Sequence, residues 1–150
     1  MHMLLLLVSL FSTAGVPAGA ADAAKLLTKD EVAAAIGDAI KEVRPDGPTT
    51  VRYYAVNGKP FQEAVIVAVE DASRGTYDSV LANARRTKYF KNDVSGLGDK
   101  AFWEEAGAAY GTLHVVSGRT YVSINVGQSK APRTYLDVAK ALMTLALKRL

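Results

Sequence analysis

The stretch Val51-Arg52-Tyr53-Tyr54-Ala55-Val56-Asn57-Gly58-Lys59-Pro60-Phe61-Gln62-Glu63-Ala64-Val65-Ile66-Val67-Ala68-Val69 decides the fold. Its first six residues are rich in β-branched and aromatic side chains, which favour a pleated, half-buried strand. Asn-Gly follows at once, and this pair is the strongest short hairpin signal because both central residues of a type I′ turn need positive φ. The spacing therefore predicts a strand over 51–56, a tight Asn57-Gly58 turn and a returning strand over 61–69. Ala64 to Val69 is apolar on both parities, the pattern of an interior strand covered on both faces.

Upstream, Leu27-Thr28-Lys29-Asp30-Glu31-Val32 carries a helix start. Thr28 can accept from the Glu31 amide, Glu31 can reach back to the Thr28 amide, and Leu27 can staple against Val32. Val32, Ile36, Ile40 and Val43 continue an apolar stripe at helical spacing, although Gly37 offers an earlier left-handed end. Arg44-Pro45-Asp46-Gly47-Pro48 stops what remains. Downstream, Ser73 or Thr76 is expected to cap a second helix reaching about Tyr89, with Tyr77, Val80, Leu81 and Ala84 inward.

Three further strands are predicted, over about Lys100–Glu104, Tyr110–Val116 and Thr120–Val126, the last two joined at Ser117-Gly118. In the last strand Val122, Ile124 and Val126 face the core, and Tyr121, Ser123 and Asn125 face solvent or a partner. Pro132 suits the first position of a terminal helix whose buried face holds Leu136, Ala139, Leu142, Met143, Ala146 and Leu150. The order α-β-β-α-β-β-β-α with short connections implies an α+β fold, an antiparallel sheet of about five strands covered by helices. No linker divides 21–150, so it is expected to form one domain.

Leu26-Leu27-Thr28-Lys29-Asp30-Glu31-Val32 with Ile36-Gly37, then Val94-Ser95-Gly96-Leu97-Gly98-Asp99-Lys100-Ala101-Phe102-Trp103, a hairpin and an Ala/Leu-rich terminal helix resemble a set of small bacterial envelope proteins. These are exported proteins and lipoproteins, some with a PsbP-like layered fold. The resemblance implies a helix-flanked antiparallel sheet and carries over no catalytic residue. The lipoprotein members have a lipobox cysteine that is missing here.

The 150 residues include 18 Lys and Arg and 15 Asp and Glu, and none of these charges lies in the first 20. That segment holds Leu4-Leu5-Leu6-Leu7-Val8, too short to span a bilayer, and small residues Ala18 and Ala20 in an A-x-A pattern. A signal peptide over 1–20 is expected, cut after Ala20, with a cut after Ala23 as second choice; only His2 stands where a basic residue is usual. The chain beyond is expected to be periplasmic or secreted and not lipid-anchored. With no cysteine, disulfides, thiolate catalysis and Cys-ligated metals are excluded.

His114 is the only histidine after residue 20, too few for a zinc site, and no metal or other cofactor is expected. Glu104-Glu105 and Glu70-Asp71 are adjacent on strands and point to opposite faces, not across a cleft. Gly96-Leu97-Gly98-Asp99 lacks the third glycine and the preceding strand of a phosphate loop, and reads as a turn with positive φ. Trp103, the lone tryptophan beside this glycine-rich loop, is a candidate ligand contact, and one of Phe102 and Trp103 is expected in the core because adjacent strand positions face oppositely.

The reading is a non-catalytic binding or interaction module of the cell envelope. Candidate ligand or partner contacts are Gly96, Gly98, Asp99, Trp103, Tyr110, Tyr121, Ser123 and Asn125, facing an envelope protein or a small ligand. Arg85, Arg86, Lys88 and Lys91 are candidates for peripheral contact with an anionic membrane or glycan, beside the plain role of cations at a helix C-terminus. No nucleic-acid motif accompanies them. The competing reading is a small periplasmic hydrolase or lyase using Asp99, Glu104 or His114.

Overall fold

The computed structural model describes residues 21–107 and 110–150, so the expected signal peptide over 1–20 lies outside the described residues. The first helices are α1 (Ala23–Leu26) and α2 (Lys29–Ile36), followed by strands β1 (Ile40–Asp46), β2 (Thr50–Ala55) and β3 (Val65–Asp71). A 3₁₀ turn (Ala72–Arg74) leads into α3 (Thr76–Arg86). Strands β4 (Phe90–Asp93), β5 (Lys100–Glu105), β6 (Gly111–Ser117) and β7 (Thr120–Val126) precede α4 (Tyr135–Leu147). The strands form one antiparallel sheet in the order β1-β2-β3-β7-β6-β5-β4.

The class is therefore α+β with an antiparallel sheet, but the sheet has seven strands instead of five. Both extra strands are edges. β1 was expected as helix because Ile40 and Val43 are three apart. Gly37 at φ 69 ends α2 instead, and only Ile40 of β1 is buried. Its charges suit an exposed edge, and Pro45 fits there because an edge strand can spare one N–H from the ladder. β4 is four residues long with only Phe90 half-buried, leaving no alternation to read.

The capping box forms as expected, with Thr28 Oγ1 accepting from Glu31 N–H at 3.2 Å and Glu31 accepting from Thr28 N–H at 2.8 Å. Other starts differ. Neither Ser73 nor Thr76 caps α3: Gly75 at φ 75 is its N-cap, and Asp71 caps the 3₁₀ turn. α4 begins after Thr134, which accepts from Asp137 N–H, three residues later than a Pro132 start. Leu150 is exposed and Val138 takes a buried place on that helix.

Strands β2 and β3 pair as the sequence implies, but residues 56–64 join them and there is no type I′ turn. Neither Asn57 nor Gly58 has positive φ. They are the third and fourth residues of a turn closed by Gly58 N–H to Ala55 C=O, and the Asn57 amide bonds Asp38. The tertiary contact overrides the local preference.

One face of the sheet carries α1, α2 and α4, and their side chains form the main core with Val51, Tyr53, Val67, Leu113, Trp103 and Ile124. α3 covers the other face over β4 to β6, where Tyr77 meets Phe102 and Tyr121 edge-on at 5.2 and 5.9 Å. Ala21 packs on the main core, Asp22 caps α1 and Ala23 is fully buried, so the segment after residue 20 is part of the fold.

Arg149 ties the end of α4 to the start of α2, giving two hydrogen bonds to Glu31 at 2.6 and 2.7 Å and one to Leu26 C=O. The Arg149 guanidinium holds the Glu31 carboxyl down to about 2. A carboxyl lower when folded than when unfolded stabilises above its ordinary pKa and stops doing so as pH falls through the folded value. Wild type should therefore exceed Glu31→Gln by about 1 kcal/mol near neutrality, a modest figure because the pair is partly exposed. Thermal melts should show that gap closing between about pH 4.5 and pH 2; a gap independent of pH would refute the assignment.

Candidate functional site

Strand alternation puts two cross-strand rows on the face that α3 covers in part. One runs Asp46, Thr50, Ala68, Ser123, His114, Phe102, and the other Arg44, Arg52, Ile66, Asn125, Thr112, Glu104. At the β5–β6 end the rows are roofed and His114 and Phe102 are buried. Past Tyr121, over the rest of β7 and over β2 and β3, the helix leaves the face uncovered, and Thr50, Arg52, Ile66, Ala68, Ser123 and Asn125 stay half-exposed. This corrects the reading of β3 as covered on both faces: Ile66 and Ala68 floor an open surface.

Where roof meets open face, a polar chain crosses three strands. Glu104 Oε1 lies 2.9 Å from His114 Nε2, and His114 Nδ1 lies 2.7 Å from the Tyr121 hydroxyl. The arrangement that satisfies all three has Nε2–H donating to the carboxylate and the phenol donating to Nδ1. The imidazole stacks on Phe102 at 4.5 Å and 15°. Burial pushes the Tyr121 phenol well above the ordinary tyrosine range, with the nearby Ser123 hydroxyl opposing in part. Tyr121 is thus a neutral donor.

Two shallow cavities open along β3 and β7. One of about 280 Å³ is lined by Thr50, Ala68, Glu70, Arg74, Tyr121 and Ser123. The other, of about 320 Å³, is lined by Gln62, Glu63, Ile66, Tyr110, Asn125 and Gly127. Along one flank Arg52 pairs with Glu63 at 2.9 Å, and Arg44 lies over the Tyr54 ring at 5.0 Å. The floor mixes apolar Ile66 and Ala68 with hydroxyl and amide side chains, and the flanks are charged. Such a surface offers hydrogen bonds to a flat or extended ligand and little enclosed apolar volume.

The residues singled out from sequence divide. Tyr110, Ser123 and Asn125 are brought together at the open face, and Tyr121 lies beneath its margin. Trp103 leaves the group: its side chain is 1% exposed in the main core, and its Nε1–H donates to Glu105. Phe102 is buried too, because both faces are covered at β5 and neither aromatic reaches solvent.

Gly96 and Gly98 have φ 80 and 58, the expected turn conformation. A Cβ on Gly98 would strike the Val116 carbonyl, and the Asp99 carboxylate accepts from Gly118 N–H at 2.7 Å. The glycine loop therefore closes on the β6–β7 turn. Glu104 and His114 meet, but Asp99 sits at the opposite end of the β5–β6 ladder. Arg85 lies over Phe90 at 5.2 Å, Arg86 donates to Asn83, and Lys88 and Lys91 are exposed at the α3 end and on β4.

Arg52, Glu63, Ile66, Thr112 and Arg74 were not singled out. The one available signal was that Arg52 alternates with buried Val51 and Tyr53. Among the described residues, no three of His, Cys, Asp and Glu converge as metal ligands. Comparison with known protein families finds no match to this chain, and comparison with curated proteins finds none either.

Proposed function

We propose that this is an exported binding module of the cell envelope that holds a ligand or a partner's extended segment on the open half of its sheet. The half-exposed rows over β2, β3 and β7 carry the reading, because there the fold leaves Ser123, Asn125, Thr50 and Ile66 without a cover. The charge-free apolar leader and the layered α+β sheet support placing it beside the small envelope proteins it resembles. Against a hydrolase or lyase weighs the use of both His114 nitrogens by Tyr121 and Glu104 in a 4% exposed residue.

Removal of residues 1–20 fits the packing at the start of the domain. A cut after Ala23 would strip the Asp22 cap, the buried Ala23 and its N–H bond to Pro48 C=O, whereas a cut after Ala20 spares all three. N-terminal sequencing of protein from an exporting host should begin at Ala21; a start at Met1 would defeat export. For the binding face, native mass spectrometry of wild type and Ser123→Arg from the same host is the test. A bound species that accompanies wild type is expected to be lost from Ser123→Arg, whose side chain fills the trough. Identical spectra would remove this face from consideration.

A further inference from the structure

The strand registers bring Ala55, Val65, Val126, Gly111, Glu105 and Phe90 to one end of the sheet. The loops issuing there hold four of the six exposed large hydrophobic residues among the described residues: Val56, Phe61, Tyr89 and Tyr110. Phe61 is 99% exposed, so its ring contributes nothing to the core. It is also the second central residue of a turn Lys59-Pro60-Phe61-Gln62 closed by Gln62 N–H to Lys59 C=O, at φ 59. Pro at the first central position and positive φ at the second define a type II turn, in which the second place normally belongs to glycine.

Among the described residues only Phe61 and Lys88 combine a side chain with positive φ, and both are exposed at this end. The backbone is held in that form. Gln128 accepts from Lys59 N–H at 2.6 Å and donates to Gln62 C=O at 2.9 Å, bracketing the tip from both sides. A strained, bracketed, fully exposed aromatic is a cost to folding that binding can explain.

The exposed charges beside the tip are cationic. The carboxylates at this end are no more than half-exposed: Asp38 accepts from Asn57 and faces Lys130, Glu63 pairs with Arg52, and Glu104 and Glu105 keep their charge while accepting from the His114 ring and the Trp103 N–H. Lys59 and Lys88 have no carboxylate within 4 Å among the described residues, and Lys130 is exposed. Apolar and cationic residues alternate over loops that span roughly 20 Å of sheet, at the usual strand spacing. Lys59 and Lys130 line a cavity of about 330 Å³ with Asp38, Asn57 and Gln128, but Phe61, Lys88, Tyr89 and Tyr110 lie outside it. A fluid anionic surface, which has no shape to match, suits that dispersed arrangement better than a protein pocket does.

We propose that this end of the sheet docks on an anionic lipid bilayer, Phe61 entering the headgroup boundary and Lys59, Lys88 and Lys130 lying against lipid phosphates. The site adjoins the open face, sharing Tyr110 with it, but does not rest on that reading. The test uses the chain as its producing host processes it, with vesicles of phosphatidylglycerol and phosphatidylethanolamine or of phosphatidylcholine alone. Residues 4–11 would carry any chain that kept them to both lipids, so the readout is the difference between variants and between lipids.

Wild type is expected to sediment with the anionic vesicles and far less with the neutral ones. Phe61→Gly should weaken anionic binding about tenfold, and Lys59→Gln about fivefold. Phe61→Gly should melt no lower than wild type, since glycine suits that φ, so lost binding would not reflect lost folding. In Phe61→Trp the emission should shift to the blue on anionic vesicles. Equal binding by wild type and Phe61→Gly, equal binding to both lipids, or an unshifted Phe61→Trp emission would overturn the proposal. A photoreactive group at position 61 that labels a protein and no lipid would overturn it as well.

Discussion

His114→Ala is expected to lower the unfolding free energy by about 3 kcal/mol, read from denaturant titration at neutral pH. The imidazole is 4% exposed, stacks on Phe102 and uses both nitrogens. Truncation removes the stacked ring and strands two partners at once. The Tyr121 phenol is the worse placed, in a residue 6% exposed, while the Glu104 side chain at 20% can still find water. A buried donor left without an acceptor costs about 1 to 3 kcal/mol, so removing the hydroxyl as well should restore part of the loss. His114→Leu with Tyr121→Phe should accordingly be less destabilised than its two single variants summed, by about 1 kcal/mol or more. Strict additivity would show that the three groups do not act as a chain.

The second large effect centres on Trp103. Trp103→Ala should cost about 4 kcal/mol, the range for emptying a buried aromatic site. The indole lies over Gly111, where an added Cβ would overlap the six-membered ring. Gly111 does not have positive φ, so here glycine is required by packing and not by backbone conformation. Gly111→Ala should then cost about 2 kcal/mol by overpacking and shift the emission of the only tryptophan in the chain. Trp103→Phe, which shortens the ring system, should recover part of that loss when combined with Gly111→Ala. If Gly111→Ala melts as wild type with unchanged emission, the close approach is not a constraint.

Short-range signals were the most legible. The Thr28 and Glu31 capping box and the inward side of α3 follow from contacts within four residues and appear as expected, and the β6–β7 hairpin forms with its turn at Gly118-Arg119, one residue past the expected Ser117-Gly118. The edge strands were not legible, because an edge buries too little to show a period: β1 hides only Ile40. Asn57-Gly58 misled for another reason. Its local preference was real, but the Asn57 amide found Asp38 and Gln128 gripped the following turn, so distant partners set the loop.

The site shows the same division. Alternation along β7 placed Ser123 and Asn125 opposite Val122 and Ile124, since strand parity is a property of the backbone. Whether the outward parity met water, a helix or another side chain could not be read there. Tyr121 went under α3, and Trp103 went into the core because both sides of β5 are covered.

By itself the sequence determined the antiparallel α+β class, the helix start at Thr28 and the parity of the inner strands, because each depends on residues close in the chain. Only the tertiary structure decided which half of the sheet stays open, that Glu104, His114 and Tyr121 form one chain, and that Phe61 stands at a strained tip. Those outcomes depend on the reach of an 11-residue helix across seven strands and on bonds between loops far apart in sequence.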